Sequence, residues 1–425
     1  MGFLDRFRRS PAPESKASRA ASALVVSPGQ PVWSPRNYEA FSREAYQKNV
    51  VAYQCINRIA DAVASVKLGI YRGDTELTDH PLAALLARPN PLQSYGDYMR
   101  AKVGFLLLAG NGYEERVTVG GTARELYQLR PDRMKITPSN NGVPAAYVYT
   151  VNQNSVTFPV EPRTLACDVR HIKMFNPLHD WYGMSPIEAG AYAIDQNTES
   201  MKWMQALLQN SARPSGALTV KDGGTLTPDQ FNILKAQVEE QYQGSTNAGR
   251  PMLLEGGLDW VQMGLSPTDM GILETKYASA RDIALAFGVP PLMLGIKGDN
   301  TFSNYAEARL AFWEDSILPL LGMILTDWNS WLAGPFKVEI KPDVDTIPAI
   351  AEKRLKMWEM ANASTDLTIN ERRELKGYGP IEGGDVVLVA SSQIPLSEAA
   401  MPPDPAAQPL DPATVKALAY GSGAS

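Results

Sequence analysis

Cys167, His171 and His179 are the residues whose types best suit metal chemistry, since thiolates and imidazoles are the usual ligands of zinc. The chain has only 2 cysteines and 3 histidines, the others being Cys55 and His80. The spacing of the three residues matches no common zinc pattern, and a fourth ligand is missing from the stretch. They read more simply as a buried thiol and two polar imidazoles near turns, with no metal or cofactor expected. Two carboxylate pairs, Asp180 with Glu188 and Asp343 with Asp345, have the types needed for general acid–base work. Carboxylates beside turns and helix starts usually cap or face solvent, and these are read that way. The chain carries no G-x-S-x-G elbow, no G-x-x-x-x-G-K-[ST] loop and no G-x-G-x-x-G after a strand. It therefore reads as a structural and interaction protein rather than an enzyme or an ATP-driven motor.

Composition narrows this further. A length of 425 residues allows two or three domains' worth of core, and 44% apolar with 20% charged residues is ordinary for a globular protein. Apolar runs such as Phe105–Ala109 are far too short to span a bilayer, so no membrane contact is expected. The opening MGFLDRFRRS lacks the apolar segment of a secretory signal. Two cysteines point to a reducing interior without disulfides. A net charge of −6 argues against gripping nucleic acid over the whole surface, because such binding draws on many basic contacts to phosphate. A channel with a few basic points is compatible with it.

The elements that must position these residues form an α+β chain. Residues 1–35 read as a flexible arm rich in Ser, Ala, Pro and Arg. Ala40 to Val66 reads as a helix with Val51, Cys55, Ile59 and Val63 on one face. KLGIYRG reads as a strand into a turn, and Tyr95 to Ala109 as a helix. GYEERVTV, ARELYQLRP, KITPS, AAYVYTV and IKMFNP are short strands. Ser185, Pro186 and Glu188 make a capping box that starts one helix running to Arg213-Pro214, about 27 residues or roughly 40 Å. Its middle, Gln196 to Ser200, is too polar for a compact core. Residues 213–264 form a small module, ordered strand GALTV, helix Pro228–Tyr242, strands PMLLEGG and LDWVQM. Thr227 and Gln230 cap that helix.

A second long helix is expected from Ser266, with Pro267 and Asp269 in its first turn, to Gly288. Leu273, Tyr277, Ala280, Ala284 and Phe287 make a heptad-like stripe on it. Two long helices around a module predict an antiparallel pair with the module at its tip. VPPLMLGIKGDNTFSN reads as a loop without apolar periodicity. Asn304 and Glu307 start a third long helix, which Pro319 should kink or break. Trp328 and Trp331 lie in its later half and are read as core. FKVEIKPD is a strand, Ile347 to Ala363 a helix, and Thr368 with Glu371 caps a short one. The tail, 381–425, reads as largely disordered.

YGMSPIEAGAYAI before a long helix, then GVPPLMLG, GDNTFSNYAEARLAFWEDSILPLL and LTINERRELKGYGPIEGGD, together resemble the portal proteins of tailed bacteriophages and phage-like gene transfer agents. The resemblance spans roughly residues 40–395. It implies a ring, typically of twelve subunits, at one capsid vertex, assembled in the bacterial cytoplasm and kept in the particle. It implies a wing at 36–184, stem helices at 185–212 and 265–288, and a clip at 213–264. A tunnel loop falls at 289–303, a long helix and wing return at 304–345, and a helical crown at 346–380. The implied partners are further copies of the chain, the major capsid protein, terminase and then a head–tail adaptor, with double-stranded DNA passing through.

Candidate residues follow from that resemblance. Lys297, Asn300, Thr301 and Asn304 lie in or beside the tunnel loop. Lys297 suits passing contact with phosphate or plain solvation, and Asn304 reads as a helix cap. Lys276 and Arg281 either face the lumen or pair with Glu274 or Asp282 of a neighbour, the reading preferred here. Lys221, Asp222, Lys235, Glu239 and Glu240 are candidates for meeting terminase or adaptor, against a merely solvated face. Trp260 and Met252 to Leu254 read as closing the clip against a neighbour. An enzyme of unfamiliar type and a monomeric adaptor are the rival readings.

Overall fold

A computed structural model describes residues 33–140, 142–209, 216–220, 227–242, 258–262, 271–296, 302–364 and 366–387. The chain divides into two compact units, Met1–Ile350 and Ala351–Ser425.

In the first unit, the single helix expected from Ala40 to Val66 is two pieces. A short helix starts at Tyr38 and widens into a π-turn over Phe41–Gln47. Helix α1 then runs Val50–Ser65. Asn49 makes the break. Its backbone is extended, and its Oδ1 accepts from the N–H groups of Val51 and Ala52 at 3.1 and 3.0 Å. A side chain that satisfies two unpaired N–H donors starts a new helix. The expected face is buried at Cys55, Ile59 and Val63, with Val51 half-buried.

Strands β1 (Leu68–Arg72) and β2 (Thr75–Glu76) follow, then α2 (Pro81–Ala87) and α3 (Tyr95–Ala109). The next strands are β3 (Asn111–Val119), β4 (Thr122–Leu129), β5 (Met134–Pro138), β6 (Pro144–Val151), β7 (Asn154–Pro159) and β8 (Val169–Lys173). They form two antiparallel sheets, ordered β4-β3-β8 and β5-β6-β7. Tyr113, Leu129, Met134, Ile136, Tyr147 and Phe158 join the two sheets in one small core.

Ser185 caps α4 (Pro186–Ala189), as expected, but through Ile187: its Oγ accepts from Ile187 N–H at 3.0 Å and donates to Leu107 O at 2.6 Å. The long helix expected from Ser185 stops after one turn at Gly190 (φ −87°, ψ 4°) and resumes as α5 (Ala191–Gln209). The module that follows has β9 (Gly216–Val220), α6 (Pro228–Tyr242) and β10 (Leu258–Gln262). β9 and β10 pair antiparallel with Trp260 opposite Leu218. Thr227 and Gln230 cap α6 reciprocally, as read from sequence. The expected strand PMLLEGG lies outside the described residues.

Helix α7 is Ile272–Ala286. Ser266, Pro267 and Asp269 lie outside the described residues, and the helix does not run through from them. Gly271 takes the left-handed conformation (φ 58°) just before Ile272, and a helical turn cannot pass through that backbone. Helix α8 (Phe302–Ala311) continues through a π-turn at Phe312–Ile317 into α9 (Leu318–Trp328). Pro319 thus neither breaks nor ends the run. It falls where the wide turn closes, with Leu318 N–H reaching back to Trp313 O, and π-turns are a usual way to absorb such a residue. Strand β11 (Glu339–Pro342) returns to pair with β1, Ile340 opposite Ile70.

The main core joins α1, α2, α3 and α9 to the buried ends of α5 and α7. One ion pair sits inside it: Lys102 donates to Glu114, both side chains 0% exposed. Glu114 also accepts from Tyr98 OH at 2.6 Å, Gln128 Nε2 at 3.0 Å and Trp328 Nε1 at 2.9 Å. Four donors on one carboxylate are what make a buried charge tolerable.

Helix α10 (Pro348–Ala363) leads into the second unit, which also holds α11 (Ile369–Leu375). The capping box of Thr368 and Glu371 forms as expected. Buried Asn370 fixes the following turn through Ile381 O at 3.1 Å and Asp385 Oδ1 at 2.8 Å.

Candidate helix pair and channel loop

The polar residues in the middle of α5 are the ones that lock it in place. Asn197 and Thr198 are buried, against the expectation that this middle is too polar for a compact core. Asn197 Nδ2 donates to Ser279 Oγ at 3.0 Å and to Lys276 O at 3.1 Å on α7. A Cβ on Gly190 would stand 3.1 Å from the Ala286 side chain. Residue 190 meets 286 while 197 meets 279, so α5 and α7 are antiparallel, as predicted.

The stripe on α7 divides along its length. Ala280, Ala284 and Phe287 are buried, whereas Leu273 is 57% and Tyr277 44% exposed. Leu285 on α7 and Tyr192 and Leu208 on α5 are exposed as well. Lys276 is half-buried and Arg281 exposed on α7.

Beyond α7 the expected free loop is partly built in. Gly288 is left-handed (φ 65°), and a Cβ there would lie 2.7 Å from Ser316 Oγ. Ser316 Oγ donates to Gly288 O at 2.6 Å. Val289, Met293 and Ile296 are buried around a short 3-10 turn, Pro291–Leu294. Their spacing of four and three is an apolar periodicity that a single turn opening on two prolines conceals. Residues 289–296 are therefore packed rather than free. Lys297, Asn300 and Thr301 lie outside the described residues. Asn304 does not cap the next helix, because α8 begins at Phe302 and Asn304 is in its first turn.

Lys235 is exposed on α6, where Glu239 and Glu240 also stand, and Trp260 is in β10. Lys221 and Asp222 lie outside the described residues. Trp328 and Trp331 are buried, as read.

The residues with chemical potential are each engaged separately. His171 stacks on Tyr113 (centroids 4.3 Å apart, 13° between planes) and its Nε2 faces Asn111 Oδ1 at 2.9 Å. Burial, with Lys173 and Arg170 adding to it, pushes its pKa down to about 3. Cys167 Sγ is 3.9 Å from Phe158 O, and burial raises the thiol, as it raises Cys55 to about 12. Neither is an activated thiolate. His179 Nδ1 accepts from Trp181 and Tyr182 N–H. Asp343 N–H donates to Lys67 O at 2.8 Å beside the turn holding Asp345. Among the described residues no group of three His, Cys, Asp or Glu is gathered as a metal ion requires. Nor is any helix among them long and apolar enough to cross a membrane.

The anchoring of the arm escaped the sequence reading. Residues 1–32 lie outside the described residues, but Trp33 packs edge-on against Tyr192 at 4.6 Å. Ser34 binds Asp195 through N–H (3.1 Å) and Oγ (2.6 Å), and Arg36 lies over Tyr192. A lone Trp in a Ser/Ala/Pro-rich stretch was the available signal.

The family model described as phage portal protein matches residues 50–377. The chain belongs to the phage portal protein family. An uncharacterized protein of Rickettsia bellii (strain RML369-C) is 41% identical to this portal-family chain over 348 residues, 80% of it and 90% of that protein. A solved chain from the neck of an empty GTA particle, computed with C6 symmetry, is 43% identical, with a TM-score of 0.66 over 83% of this chain and 96% of that one. A chain from the neck of a native GTA particle, computed with C12 symmetry, covers the same shares at 43% identity with a TM-score of 0.64. The portal family is a structural one, which agrees with the lack of catalytic motifs.

Proposed function

We propose that this chain is the portal subunit of a phage or gene transfer agent particle. Copies of it, twelve in the reading preferred here, close into a ring at one capsid vertex. The ring is the conduit for double-stranded DNA during packaging and ejection. It sits in the major capsid protein shell, receives terminase during packaging and a head–tail adaptor afterwards. What supports this most is 43% identity across 96% of a neck chain from a particle computed with twelvefold symmetry.

In this reading α5 and α7 are stem helices within 185–212 and 265–288, and residues 213–264 are the clip. Residues 36–184 with 304–345 are the wing, and 346–380 the crown. Residues 289–296, with Val289, Met293 and Ile296 buried, are the root of the tunnel loop, and Lys297 follows them directly in sequence. Twelve copies turn that one lysine into a ring of charge, enough for passing contact with phosphate while the acidic chain as a whole stays slippery. Removing the chain from a producing cell tests the function: DNA-filled particles should disappear and return with the gene. Filled particles in its absence would overturn it.

A further inference from the structure

Phe175 and Leu178 are 85% and 93% exposed on the loop between β8 and α4. The loop is braced. Asn176 Oδ1 accepts from Leu178 N–H at 3.0 Å, and the Lys173 ammonium donates to Asp180 O. His179 Nδ1 holds Trp181 and Tyr182 N–H at 3.0 and 3.2 Å. At the loop's base, Met174 N–H donates to Gly110 O and Gly183 N–H to Asn111 Oδ1, both at 2.8 Å. Two large apolar side chains are thus held out into water by a loop that cannot fold them back. Such an arrangement is unfavourable unless something covers them.

The same chain offers a groove of about 340 Å³ lined by Val66, Lys67, Leu68, Ala83, Leu86 and Tyr95. An engineered cavity of about 150 Å³ accepts benzene, so this groove admits a phenyl and an isobutyl group together. Exposed Lys67 stands in its lining, and exposed Asp180 beside the two apolar residues of the loop. The loop is rooted at the C-terminal end of α3, through Gly110, and the groove lies at its N-terminal end, through Tyr95. Fifteen residues, about 22 Å of helix, separate them. A closed ring needs this kind of arrangement: two different, complementary patches set apart on every subunit.

We propose that Phe175 and Leu178 of one subunit seat in the groove at Leu68, Ala83, Leu86 and Tyr95 of the next copy around the ring. Asp180 of the loop then faces Lys67 of the groove. This contact rests on the ring reading above.

The test uses the full chain, wild type against the double variant Phe175→Asp, Leu178→Asp. Because both side chains are exposed, the variant should keep its circular dichroism and Tm. The subunit concentration at which half the chain is assembled, read by mass photometry, should rise at least tenfold. The pair Leu178→Cys with Ala87→Cys, mildly oxidised, should give a ladder of covalent oligomers that neither single variant gives. Rings that form equally well in the double Asp variant, or no ladder from rings that do form, overturn this contact alone. Intact variant rings that no longer enter capsid shells assign the loop to a shell protein and also overturn it. Wild-type chain that stays monomeric both alone and in particles overturns the ring reading itself, and this contact with it.

Discussion

Asn49 and Asn197 hold each other by one hydrogen bond, Nδ2 to Oδ1 at 3.1 Å, with each residue only 1% exposed. Through it α1 is tied to α5, and Asn197 passes the tie on to Ser279 of α7. Three helices are kept in register by amides, where an apolar contact would let them slide. Asn197→Ala removes three hydrogen bonds from a buried site, while Asn49 Nδ2 keeps Thr198 Oγ1 and Ser279 Oγ keeps Lys276 O. It should cost about 2–4 kcal/mol, since each bond contributes roughly 0.5–1.5 kcal/mol net. Asn49→Ala should cost a similar amount, and the double variant less than the sum, because the two share a bond. Denaturant titration of the three variants checks this.

Lys102 and Glu114 make the second prediction. Lys102→Met strands a buried carboxylate and should destabilise by about 3–5 kcal/mol. Lys102→Met with Glu114→Gln removes both charges and should recover part of that loss. A double variant worse than the single would show that the charge itself is not what hurts. Midpoints of chemical denaturation distinguish the two.

His171 predicts an acid limit. Its partner, Asn111 Oδ1, is an acceptor, so Nε2 carries a proton, and burial favours the neutral ring. Folded, the group titrates at about 3 instead of 6.5. Between those values the unfolded chain binds the extra proton and the folded one does not. Its stabilising effect is complete above about pH 6.5 and is lost as pH falls toward 3. His171→Gln should flatten the stability profile between pH 6 and pH 4, read as Tm against pH. An unchanged slope would remove His171 as its source.

Lys297→Ala tests the tunnel loop. Ring formation should be untouched and the amount or retention of packaged DNA changed. Unchanged packaging in particles carrying the variant would end the case for phosphate contact at this position.

What was legible in the sequence was local chemistry. Thr227 with Gln230 and Thr368 with Glu371 announce caps, because the reciprocal bonds involve only nearby residues. The antiparallel pair was legible from two helices with a module between them. What was hidden depended on backbone geometry or on distant partners. Gly271 reads as an ordinary helix residue until its φ is known. Asn197 reads as too polar for the core until Asn49, far back in the chain, is seen to meet it. Pro319 reads as a kink or a break, but the helix runs on, because one extra residue in the preceding turn absorbs it. Of the candidate channel residues, Asn304 was read as a cap but lies in the first turn, because TFSN offers three N-cap residue types, Thr301, Ser303 and Asn304, within four positions.

The mass of the purified, assembled chain tests the central claim most directly. Mass photometry at near-physiological salt should show one dominant species near twelve times 46.4 kDa. A chain that remains a monomer at every concentration, and is found as one or two copies per particle when particles are dissected, would contradict it.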